Sequence, residues 1–236
     1  MAEPLILVPG LMSDTRLFDA QILALSRDRP LMLALPVRGD TIEDMSQALC
    51  AVAPPRFALA GLGLGAHVAL DVLRRDMGRV SRLVLMSADA LAETPAELAL
   101  RDKRMLLAET GRLAEAVALE YPTGCLAASE RRPTLLSRIE TMAADLGSGV
   151  FIAQSRAMQR RRDQQKTLRR AALPILVLSG AADTLVSCRR QSFMAEMMPS
   201  ARHQVIENAG HFLPMEQPHA VSKAMGLFLD GPLMLR

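Results

Sequence analysis

Short runs of consecutive apolar residues alternate along this chain with longer stretches in which apolar positions recur every three or four residues. The runs read as strands at Leu5–Val8, Leu31–Leu35, Phe57–Ala60, Leu83–Met86, Ile175–Leu178 and His203–Ile206. The periodic stretches read as helices at Leu17–Ser26, Ile42–Ala51, Ala66–Arg75, Arg189–Met198 and His219–Leu229. Strand and helix in strict alternation predict an α/β fold, a mostly parallel sheet with helices on both faces.

One interval breaks the rhythm. Between Ser87 and Pro174 no strand-like run occurs, and the apolar spacing in Glu97–Leu107 and Leu113–Leu119 is helical. An interval of this length is too long for a loop. The chain therefore divides into a core of residues 1–86 and 174–236 and a helical insertion of residues 87–173 with the size of a cap domain. The insertion carries half of the 28 basic residues, among them Arg160-Arg161-Arg162 and Arg169-Arg170. Such runs usually form a solvated face; an arginine turned into a cleft would hold a carboxylate instead.

Composition narrows the function classes. With 50% hydrophobic and 22% charged residues and a mean hydropathy of +0.17, the chain has the apolar content of a folded core, not of a disordered one. A net charge of +3 admits an anionic ligand, but 3% aromatics and no Trp leave no stacking platform for bases. A small-molecule substrate is expected, with no nucleic-acid partner. Cys50, Cys125 and Cys188 are far apart and unpaired by any CxxC spacing, which suits a reducing compartment. The start of the chain lacks a basic segment and reaches Pro9-Gly10 too soon for a signal sequence, and no run of apolar residues is long enough to span a membrane. The expected location is the cytoplasm. No His/Cys/Asp/Glu spacing suggests a metal, and no cofactor is expected.

The densest chemistry lies in Gly61-Leu62-Gly63-Leu64-Gly65-Ala66, where an apolar strand enters a glycine turn and then a helix. Gly61, Gly63 and Ala66 satisfy the G-x-G-x-x-A of a dinucleotide site, with Asp89 available for the ribose. Gly61 and Gly65 equally satisfy the G-x-Nuc-x-G of a nucleophile elbow, with Gly63 at its centre. Two later loops decide between these. Asp183 follows the strand at Ile175–Leu178 and His211 follows the strand at His203–Ile206, an acid and a base in chain order at the carboxyl edge of the sheet. A dinucleotide site needs neither.

With those segments in place, the chain resembles the α/β-hydrolase superfamily, and within it the small bacterial hydrolases with a helical cap. VPGLMSDTRLF, FALAGLGLGAHVAL, PILVLSGAADTLVS and NAGHFLPMEQP carry the likeness, which spans Leu5 to Leu229. It implies Asp183 as the acid that orients the imidazole, His211 as the general base, and the N–H groups of Leu11 and Leu64 as oxyanion donors. The implied activity is hydrolysis of a small ester, lactone, thioester or similar carbonyl compound.

Gly63 departs from the family pattern, because it stands where the nucleophile belongs and has no side chain to attack with. Removing a serine nucleophile costs about 10^6 in turnover in subtilisin, whereas glycine relieves the backbone strain of an elbow. Three readings stay open: a hydrolase whose serine has been replaced, a protein that binds without turnover, and an enzyme using the His211–Asp183 dyad alone, as in the cofactor-independent oxygenases and lyases of this fold. Ser13 and Ser87 are candidates for a relocated nucleophile, and Asp89 for a substitute acid. His67, in the helix after the elbow, is expected to pack rather than to act.

Overall fold

A computed structural model describes residues 3–232; residues 1, 2 and 233–236 of the sequence-level division lie outside it. Six parallel strands form one sheet in the order β2-β1-β3-β4-β5-β6. They are β1 (Leu5–Val8), β2 (Leu31–Leu33), β3 (Phe57–Leu62), β4 (Val80–Met86), β5 (Ile175–Gly180) and β6 (Ala201–Ile206). Every residue of β1, β3, β4 and β5 is buried. That is why these strands read as unbroken apolar runs, since helices cover both faces of a parallel sheet. β2 stops at Leu33 rather than Leu35 because its only neighbour, β1, ends at Val8 and turns away at Pro9-Gly10.

In the core, α1 (Asp19–Leu25), preceded by a 3-10 turn, is joined by α2 (Ile42–Val52) and α3 (Leu64–Asp76). Between β4 and β5 the described elements are helical: α4 (Pro95–Glu109), α5 (Leu113–Glu120), α6 (Arg132–Gln159) and α7 (Gln165–Arg170), with one 3-10 turn. After β5 come α8 (Cys188–Glu196), the short α9 (Leu213–Glu216) and α10 (Pro218–Asp230). α1 packs on α10, and α2 packs on α3.

The inserted helices α4, α5 and α6 pack on one another. α4 begins with a capping box, in which the Thr94 hydroxyl accepts from Glu97 N–H and the Glu97 carboxylate accepts from Thr94 N–H. α6 is broken at Gly147, whose φ of 82° is open to glycine at no steric cost. The strand order reverses between β1 and β3, which diverge in sequence toward opposite sides of the sheet. A crevice opens at such a point above the carboxyl ends of the strands, and the loops after β1 and β3 form its two banks.

Candidate active site

The turn after β3 sits on backbone rather than on side chains. Gly63 has φ 52° and ψ −115°, its N–H donates to Met86 O at 3.0 Å, and its carbonyl accepts from the N–H groups of Ala66 (3.0 Å) and His67 (3.2 Å) as α3 begins. A Cβ at Gly61 would collide with the backbone of Gly65, and one at Gly65 with the carbonyl of Val8. The flanking glycines are therefore required by close approach of strand, turn and helix. Gly63 itself needs none of that space. Among the described residues and apart from its own chain neighbours, a Cβ built on it would meet only the His211 ring within 4 Å, with Nε2 at 3.4 Å.

His211 stands on the loop after β6, and the Asp183 carboxylate lies behind it, 3.1 Å and 3.3 Å from Nδ1. Asp183 also accepts from the N–H groups of Leu185 (2.9 Å) and Val186 (3.0 Å). Burial alone would raise its pKa. His211 and those donors outweigh the burial and hold it below the ordinary 3.8. Among the described residues, Nε2 of His211 has no protein partner.

On the opposite bank, Met12 has a φ of 52° and donates its N–H to Gln154 Oε1 at 2.8 Å. The Leu11 carbonyl accepts from the Tyr121 hydroxyl at 2.7 Å. Gln154 and Tyr121 both belong to the insertion. Among the described residues no protein group accepts from the N–H of Leu11 or of Leu64.

The segment that follows Tyr121 is tied to the other two loops. Cys125 O accepts from His211 N–H at 2.7 Å, and Gly124 O accepts from the Thr184 hydroxyl at 3.1 Å. Glu216 is buried and accepts from three backbone N–H groups, those of Gly210 (2.9 Å), Phe212 (3.0 Å) and Ala127 (2.7 Å). Burial raises its pKa above the ordinary 4.5 in spite of these donors.

A cavity of about 210 Å³ lies over this floor. Leu11, Gly63, Leu64, His67 and His211 line it from the core side, and Ser87 from the start of the insertion. The insertion contributes a charged wall. Glu93 pairs with both Arg101 and Arg161 at 2.6 Å, and Glu120 bridges Arg101 (3.4 Å) and Arg104 (2.8 Å). Of the triple arginine, only Arg161 is buried in this wall. Arg160 and Arg162 are exposed and pair with Asp40 and Glu43.

Several sequence-level alternatives are sorted by this geometry. Asp89 pairs with Arg190 at 2.9 Å and accepts from Leu91 N–H, so it does not hold His211. Ser13 Oγ donates to the Leu11 carbonyl at 3.4 Å, and the buried Ser87 Oγ has no partner among the described residues. Neither hydroxyl is bonded to His211. His67, expected to pack, is buried yet lines the cavity, and no protein group bonds its ring among the described residues. Burial, together with Arg161 and Arg101, pushes its pKa well below 6.5. Tyr121, Gln154, Glu216 and the Glu93 network were not foreseen. The one faint signal was that Tyr121 is the sole tyrosine of the chain, and a buried tyrosine hydroxyl seeks a partner. Among the described residues no group of three or more His, Cys, Asp or Glu side chains could hold a metal ion, and no helix is long and apolar enough to cross a membrane.

Comparison with known proteins agrees with this architecture. The sequence profile of the alpha/beta hydrolase family matches residues 5–224. The pimeloyl-[acyl-carrier protein] methyl ester esterase of Aromatoleum aromaticum is 27% identical over 190 residues, 75% of each chain. Among solved structures, a thermophilic esterase from Thermogutta terrifontis superposes with a TM-score of 0.82 at 24% identity, over 97% of this chain and 90% of that one. The enol-lactonase from Burkholderia xenovorans gives 0.84 at 21% identity, over 98% and 92%.

Proposed function

The chain belongs to the alpha/beta hydrolase family, and from that premise we propose that it hydrolyses a small polar ester or lactone by direct attack of a water molecule that His211 deprotonates. The observation that carries this reading is the open space over Gly63, with His211 Nε2 3.4 Å from where a Cβ would stand there and Asp183 on the other ring nitrogen. A water hydrogen-bonded to Nε2 in that space would meet the roughly 2.6–3.2 Å that a general base requires. Nε2 takes its proton, the hydroxide adds to the carbonyl carbon, and the developing oxyanion faces the N–H groups of Leu11 and Leu64. Collapse expels the alcohol oxygen, which recovers the proton from His211. Asp183 holds the imidazole in register and stabilises its charged form.

No acyl-enzyme forms on Gly63 in this scheme. Turnover is correspondingly modest, because the oxyanion donors and binding alone retain about 10^3–10^4 over water in a hydrolase without its nucleophile. In this reading residues 1–86 and 174–236 are the catalytic core and residues 87–173 the cap. The cavity is smaller than the about 300–1,000 Å³ of drug-sized sites, and its charged wall favours a polar substrate over a fatty acyl chain. The esterase and lactonase names of the similar proteins fit the same bond type. Free Cys50, Cys125 and Cys188 suit the cytoplasm.

The second reading, a binder without turnover, is favoured by Gly63 itself. Activated esters and a fluorophosphonate probe separate the two. The hydrolase reading expects slow turnover by the Gly63 protein with no labelling, and faster turnover with labelling after Gly63→Ser. A folded Gly63 protein that binds substrate analogues and releases no product overturns it in favour of the binder.

A further inference from the structure

Two polar side chains beside Gly63 take no part in activating water. His67 lies one turn along α3, where its N–H donates to the Gly63 carbonyl at 3.2 Å. Ser87 follows Met86, whose carbonyl accepts from the Gly63 N–H at 3.0 Å. Both residues line the cavity, 5% and 0% exposed, and among the described residues neither the His67 ring nor the Ser87 hydroxyl has a hydrogen-bond partner. Helical side chains lean toward the N-terminus of their helix, which carries the His67 ring back over the turn. Ser87 also holds a φ of 46°, which disfavours a residue with a Cβ. Buried polar groups are normally paired, and the cost of leaving two unpaired at one cavity is offset when a ligand supplies the partner.

We propose that His67 and Ser87 form a subsite for a neutral hydroxyl on the acyl part of the substrate, one or two carbons from the carbonyl. The proposal deepens the hydrolase reading and rests on it for the place of the carbonyl over Gly63. Burial, with Arg161 and Arg101 beside it, disfavours the imidazolium, so the ring offers a bare nitrogen to accept from the ligand hydroxyl. The hydroxyl oxygen accepts in turn from Ser87 Oγ, which rotates about χ1 from its buried position toward the cavity. A charged group has no such place. Every arginine and carboxylate that lines the cavity is already paired, Arg190 with Asp89 and Glu97 and the others in the Glu93 and Glu120 network. A carboxylate entering there would have to break one of those pairs.

The test titrates unreactive amides into the protein, lactamide against propanamide and β-hydroxybutyramide against butyramide. Binding is followed by imidazole NMR signals, with His67→Gln assigning that of His67. At least one hydroxy amide should bind about tenfold more tightly than its deoxy partner and shift the His67 signal. Ser87→Ala and His67→Leu should each bring that ratio to about threefold or less, and lactate should bind more weakly than lactamide. Equal binding within both pairs, or no binding by any of the amides, overturns the subsite. So does a preference that persists undiminished in both folded variants, or tighter binding of lactate than of lactamide. The ratio in the unmutated protein decides the matter even where a variant does not fold. Hydrolysis of ethyl lactate and ethyl propanoate is read separately. Absence of turnover with the binding preference intact overturns the hydrolase reading and leaves the subsite, whereas turnover without a binding preference overturns the subsite and leaves the hydrolase.

Discussion

The two halves of the site are held in opposite ways. The core half, from β3 through Gly63 into α3, is an apolar strand and a turn in which backbone meets backbone, with Gly61 and Gly65 allowing the approach. The insertion half buries charge, with Glu93, Arg101 and Arg161 side chains only 3%, 7% and 7% exposed, and from it Tyr121, Cys125 and Ala127 reach back to the loops after β1 and β6. A close-packed turn is rigid without specific partners, whereas a buried ion-pair network is stable only while every member is satisfied. The lesson is that the core supplies His211 and Asp183, while the insertion braces the loops that carry them.

The largest effect that tests this contrast is Glu93→Gln. It leaves the Arg101 and Arg161 guanidiniums buried without their shared carboxylate, and unfolding free energy from urea titration should fall by about 3–5 kcal/mol. Replacing all three by apolar residues of similar volume should restore most of the loss, since desolvation offsets much of what an ion pair contributes. A loss under about 1 kcal/mol for Glu93→Gln would place the network among weakly coupled surface pairs and break the contrast.

His211→Ala should do the reverse. Turnover of an activated ester should drop about 10^3-fold, near 4 kcal/mol of barrier, while the urea midpoint moves little. A variant that melts early but keeps its activity would show that His211 is structural.

His67 adds a pH signature on the boundary of the two halves. Its folded pKa is depressed by burial and by Arg161 and Arg101. Below pH 6.5 the unfolded chain takes up a proton that the folded chain refuses, so its contribution to stability is present above that pH and is lost as pH falls. The slope attributable to His67 should approach about 1.4 kcal/mol per pH unit, and His67→Leu should flatten it. Equal slopes in both proteins would mean that the ring protonates freely in the fold. Asp183, depressed below 3.8, gives a separate loss at lower pH.

The smallest effect belongs to Tyr121→Phe, which removes one hydrogen bond to the Leu11 carbonyl. It should cost about 1 kcal/mol of stability and, if the Leu11 N–H serves as the proposed oxyanion donor, lower kcat more than it raises KM. An unchanged kcat would detach the insertion from the proposed role of the loop after β1.

How much of this was legible follows from what each element rests on. β1, β3, β4 and β5 were readable because burial on both faces makes them continuous apolar runs, whereas the end of β2 depends on where its neighbour stops. Within the insertion, α4 and α5 matched their periodic stretches, but α6 went unplaced because Gly147 interrupts it. The candidate residues Gly63, Asp183 and His211 stand in short local motifs beside strand ends, so their approximate place could be read. The residues that brace them could not. Tyr121 meets Leu11 across 110 positions and Gln154 meets Met12 across 142, and their partners are main-chain groups that every residue carries.

By itself, then, the sequence determined the alternation of strand and helix, the place of the insertion, and the absence of a nucleophile at Gly63, because periodicity and residue identity are local properties. Only the tertiary structure decided that His67 and Arg161 face the cavity, that Asp183 rather than Asp89 meets His211, and that Glu216 joins the histidine loop to the insertion. Those outcomes depend on which buried polar group finds a partner once distant segments have packed. In a low-dielectric interior each such group must be satisfied by whatever the fold brings within reach.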